Sequence, residues 1–161
     1  MSQEKTKQIR TIVLVVLVVL GVLLSGLALS AELLGLDITP GFGIVQMLPL
    51  LLGISCLTLA IYLYLQSLRP LDTPRSLQAD IGVRLTATGL VFAYVAGLSD
   101  LMGVGTHLQP NFERPFVGPL QLGGLLLGVA IIIVGLLLYH TSRGVRESSS
   151  LDFIINGNGE S

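Results

Sequence analysis

Four apolar runs constrain this chain more than any other feature. Each is close to the twenty or so residues that carry a helix across a hydrocarbon core about 30 Å thick. They extend from Ile12 to Ala31, Gly43 to Leu65, Ile81 to Leu101 and Val117 to Tyr139. Short connections separate them, and each holds loop punctuation: Pro40 with Gly41, Pro70 with Pro74, Pro110 with Pro115. Backbone groups in lipid must be satisfied within the segment, which demands helices, and these Leu/Val/Ile runs lack the alternation of a membrane barrel strand. The expectation is an all-α integral membrane protein with four transmembrane helices. Composition agrees. The 161 residues are 52% hydrophobic and 12% charged, half the charge of a usual soluble domain, and mean hydropathy is +0.81.

Charge sets the expected orientation. All nine Lys and Arg except Arg114 flank the spans on one side: Lys5, Lys7 and Arg10, then Arg69, Arg75 and Arg84, then Arg143 and Arg146. The positive-inside rule places that side, with both termini, in the cytoplasm (N-in/C-in). The division is then a cytoplasmic N-terminus (1–11), a first helical hairpin (12–65), a cytoplasmic loop (66–80), a second hairpin (81–140) and a flexible cytoplasmic tail (141–161). A net charge of −1 offers no basic face to nucleic acid. The rival reading of the first span is a secretory signal cut after Ser30, but its apolar run exceeds the ~7–15 residues of a signal core. With no organelle address visible, a prokaryotic plasma membrane is the default location.

An internal repeat organises the spans. Residues 43–54 match 118–129 at six of twelve positions with an offset of 75, including Gly43/Gly118, Gln46/Gln121 and Gly53/Gly128. The odd spans align at an offset of 68: Gly21 on Gly89, Glu32 on Asp100, Gly35 on Gly103. Two tandem-duplicated hairpins of like orientation form a parallel repeat, unlike the inverted repeats beneath many alternating-access transporters. The competing explanation is chance similarity between Gly- and Leu-rich membrane helices.

Three groups of residues are candidates for function. Glu32, Gln46, Asp100 and Gln121 form a polar cluster at the outer rim, suited to a cation, a headgroup or a basic partner residue. The plainer role is interfacial acids in water and glutamines bonding between helices. Asp80 and Arg84, four apart, form an inner-rim ion pair in which Arg84 snorkels to the surface. Gly89, Ala93 and Gly97, with Gly124 and Gly128, are small residues at four-residue spacing that let helix backbones approach, within one chain or between chains. Pro49 is expected to kink the second span, whereas Pro119 sits harmlessly at a helix start. Tyr64 and Tyr139, equivalent under the repeat, mark a cytoplasmic aromatic belt.

Catalytic and cofactor signals are absent. His107 and His140 stand without a second ligand at helical spacing, Cys56 lies in mid-span away from any cation, and no nucleophile elbow, phosphate loop or HExxH occurs. The tail carries a short apolar peg, Leu151 to Ile155, suited to a partner or the membrane surface. The expected function is that of a non-enzymatic accessory, assembly or scaffolding subunit, its partners being membrane lipids and other membrane subunits or itself. A small homo-oligomeric transporter or channel using the outer-rim acids is the alternative. No cofactor and no metal are expected.

Overall fold

A computed structural model describes residues 2–31, 44–69, 76–99 and 117–142. These form four helices: α1 (Ser2–Ser30), α2 (Ile44–Ser67), α3 (Leu77–Gly97) and α4 (Pro119–Thr141). All four are long and apolar enough to cross a membrane. The described residues are therefore all-helical, with four candidate spans, which is compatible with a multi-pass integral membrane protein.

The helices begin and end where local chemistry directs, not where hydropathy does. α1 starts ten residues ahead of the apolar run, because Glu4, Lys5 and Lys7 are good helix formers and Glu4 suits the positive N-terminal end of the dipole. α3 starts at Leu77, with the Ser76 side chain accepting the Ala79 N–H at 3.3 Å. Asp80 thus lies inside the first turn rather than in the preceding loop. In α4 the N-cap is Gly118 and Pro119 takes the first helical position, where its missing N–H costs nothing. α2 passes unbroken through Pro49, which stands in its second turn.

Packing is hierarchical. α1 lies antiparallel along α2, and α3 along α4, over most of their length. Between these two hairpins only α2 makes the junction, meeting both α3 and α4 more sparsely; α1 makes no close backbone approach to α3 or α4. The buried apolar cluster of Ala28, Met47, Leu50, Leu51, Ala93 and Leu125 sits in one half of the bundle. The other, cationic end receives the start of α1, the C-termini of α2 and α4, the start of α3 and the cations of those segments.

Candidate functional site

The closest helix contacts run through glycine, and the same contact occurs in both hairpins. A methyl group built on Gly53 of α2 would lie 2.8 Å from the Ser25 backbone nitrogen and 2.9 Å from the Gly21 carbonyl oxygen. One built on Gly128 of α4 would lie 2.8 Å from the Ala93 nitrogen, and one on Gly89 would lie 2.8 Å from the Gly128 carbonyl oxygen. Gly21 and Gly89 are 68 apart, Ser25 and Ala93 also 68, and Gly53 and Gly128 75, the two offsets found in the sequence. Backbone thus approaches backbone in each hairpin, with the small Ser25 and Ala93 side chains seated beside the glycines and no room for a larger one.

The row Gly89, Ala93 and Gly97 does not serve one neighbour. Gly89 and Ala93 meet α4, whereas Gly97 faces Met47 and Leu51 of α2, because each four-residue step advances about 40° around an α-helix. Gly124 fits against Ala96. A further contact was not singled out from the sequence: a methyl on Gly82 would lie 2.7 Å from both the Gly135 carbonyl oxygen and the Tyr139 nitrogen. Its signal was seven-residue spacing, Gly82 to Gly89 and Gly128 to Gly135, which keeps one seam facing its partner along a helix pair.

Of the expected outer-rim cluster, Glu32 and Asp100 lie outside the described residues, as do His107, Arg114 and the apolar peg of the tail. Gln121 is 7% exposed and fully engaged. Its Oε1 accepts the Gly118 N–H at 2.9 Å, which is half a capping box; glycine has no side chain to return the bond. Its Nε2 donates to Ser99 Oγ at 2.9 Å, and Ser99 donates in turn to the Ala96 carbonyl at 2.9 Å. One glutamine therefore closes the start of α4 and ties it to the end of α3. Gln46, at the matching place in α2, is half-buried and also engaged.

Asp80 and Arg84 pair as expected, at 2.9 Å, with the Arg84 side chain 80% exposed on the flank of α3. Nearby, Gln78 Nε2 donates to Thr141 Oγ1 at 3.2 Å and joins α3 to α4. The other hydroxyls are spent on their own helices: Thr58 donates to the Ile54 carbonyl at 2.7 Å and Thr86 to the Gly82 carbonyl at 2.8 Å. Ser55 donates to the Leu51 carbonyl at 2.8 Å, so the 2.9 Å contact between Ser55 and the Tyr94 hydroxyl has tyrosine as its donor and links α2 to α3. Among the described residues only the Ser25 hydroxyl is buried without a hydrogen-bond partner, pressed against Gly53.

The most elaborate polar contact is at the cationic end and centres on Arg69, singled out in the sequence only for its charge. Its Nη2 donates to the Tyr139 carbonyl at 2.6 Å, to the Ser142 carbonyl at 3.0 Å and to the Ser142 hydroxyl. The guanidinium carbon lies 4.1 Å from the centre of the Tyr139 ring, and Tyr62 packs on the same ring with centroids 5.4 Å apart. Arg69 so caps the C-terminus of α4 from the other hairpin. The matched tyrosines consequently differ: Tyr139 is 2% exposed and Tyr64 52%. Both return helices nevertheless end alike, Ser67 donating to the Tyr64 carbonyl at 2.6 Å and Ser142 to the Tyr139 carbonyl at 2.7 Å.

The described residues contain no cluster of three or more His, Cys, Asp or Glu able to hold a metal ion. No protein-family model, no curated protein and no solved structure matches the chain.

Proposed function

We propose that this protein is a non-enzymatic accessory, assembly or scaffolding subunit of a larger membrane complex, resident in a prokaryotic plasma membrane with both termini inside. The observation that carries the reading is the seating of α1. It leans on α2 alone and offers lipid or a partner a flank of Val13, Val16, Leu20, Leu23 and Leu27, all exposed. In hydrocarbon such a flank gains nothing by burial as such, so a partner helix is recognised by fit and close packing. The polar groups of the spans support the same reading, since those described, the buried Ser25 hydroxyl apart, bond to their own helix, to a cap or to a neighbouring helix rather than converging on a cavity.

The proposal includes a duplicated hairpin. Its support is the equivalent backbone contact at Gly21/Gly53 and Gly89/Gly128, together with the shared Tyr-x-x-Ser ending of α2 and α4. The proposed orientation rests on the cations, and reporter fusions at residue 3 and at the C-terminus should both report the cytoplasmic side.

The experiment that tests the function is purification from the native membrane in gentle detergent, followed by native mass spectrometry. A stoichiometric foreign subunit is the expected result. A homo-oligomer without one would overturn it in favour of transport, and liposome flux by Glu32→Gln and Asp100→Asn would then be measured. A bare monomer would defeat both readings.

A further inference from the structure

The contacts inside a hairpin and those between hairpins differ in kind. Within each hairpin, backbone lies on backbone at Gly21/Gly53, Gly89/Gly128 and Gly82/Gly135, so the helices cannot slide without first separating. Between the hairpins, α2 meets α3 and α4 through long side chains. Met47 and Leu51 reach Gly97, the Tyr94 hydroxyl reaches Ser55, and Tyr62 reaches Tyr139. Methionine, leucine and tyrosine can change rotamer and repack where glycine contacts cannot. The buried apolar cluster that unites the hairpins lies toward the end opposite the cations. At the cationic end the join is Arg69, with the Tyr62–Tyr139 contact beside it.

We propose that the two hairpins are rigid bodies hinged at the Met47/Leu51/Ala93/Leu125 cluster, and that Arg69, by capping α4 across the junction, is the latch that holds the cationic end closed. The chemistry suits a latch. A guanidinium keeps its charge, and here its Nη2 meets two carbonyls of the last turn of a helix, which lack the backbone partner a longer helix would supply and where the dipole favours a cation. The tyrosine ring beneath adds attraction without a second charge. Releasing this one side chain therefore leaves that end of the junction resting chiefly on the Tyr62–Tyr139 contact, which can repack. This device operates whatever the partner or orientation of the protein.

The test is spin-label distance measurement on the full chain in nanodiscs, in a Cys56→Ala background. Three pairs of lipid-facing cysteines are introduced: Tyr64→Cys with Leu137→Cys at the cationic end, Val45→Cys with Leu120→Cys at the opposite end, and Val16→Cys with Leu59→Cys inside the first hairpin. With Arg69→Gln the first distance should lengthen by more than about 2 Å, the scale of helix shifts at packed interfaces, while the other two stay fixed. No change in the first pair would overturn the latch. A change in all three would overturn the hinge, since the hairpins would not then be rigid. If Arg69→Gln does not fold, Tyr139→Leu removes the ring beneath the guanidinium and keeps the carbonyls. It should broaden the same distance alone, and a distribution identical to the parent would equally refute the proposal.

Discussion

At Gly53 and Gly128 a single methyl group would fall 2.8 Å from a backbone nitrogen of the neighbouring helix. Relief would require moving a helix, so Gly128→Leu or Gly135→Leu should destabilise the protein by about 1–3 kcal/mol in reversible detergent unfolding. Gly26 and Gly123 are the internal controls, because nothing lies within 4 Å of a methyl at either. Alanine there should be neutral or stabilise by up to about 1 kcal/mol, through helix propensity alone. Equal losses at the two kinds of glycine would show that the seams are not where the contacts place them. Polar bridges act on a smaller scale. Tyr94→Phe deletes the hydroxyl bond to Ser55, and about 0.6 kcal/mol is the usual size of such a bond in lipid.

For the elements, what matters is how each helix is finished. Gln121→Leu removes the acceptor for the Gly118 N–H and the donor to Ser99 at once. It should cost about 1–2 kcal/mol and raise amide exchange at the start of α4. A change confined to the far end of α4 would contradict that assignment. Asp80→Asn should cost less than about 1 kcal/mol in the same unfolding assay, since the pair with Arg84 is largely exposed. The existence of the helices was legible because lipid leaves an apolar run of twenty residues no other structure. Their ends were less so. α1 extends into charged residues that are good helix formers and α3 into a serine-capped first turn whose dipole suits Asp80, and hydropathy is blind to both. The seam glycines at positions 82 and 135 were visible as a seven-residue spacing, but a four-residue rule passes over them.

For the whole molecule, the two hairpins were expected from the chain, but the looser junction between them was not readable in it. The glycines that let backbones touch are local patterns, but the Arg69 clamp joins groups 70 and 73 residues apart and has no local signature. Nor could the proposed repeat have announced where the two hairpins differ. Tyr64 and Tyr139 match by position, yet only Tyr139 lies under a guanidinium, because Arg69 follows α2 and Gly144 holds the matching place after α4. The correspondence between the hairpins therefore ends where the junction begins. A binding partner that covers the exposed flank of α1 should slow exchange along that helix while leaving α4 unchanged, a contrast readable by hydrogen exchange with and without the native complex.

The clamp also has a schedule. Arg69 is synthesised 73 residues before the serine whose carbonyl it holds. At about 5–20 residues per second, it emerges roughly 4–15 s before that acceptor exists. In the orientation proposed, the guanidinium during that interval is left to water and headgroups, and its charge would hold that end of the first hairpin out of the hydrocarbon. Once α4 arrives, the same group, still charged, closes that helix's last turn, so one cation serves first as an anchor and then as a cap.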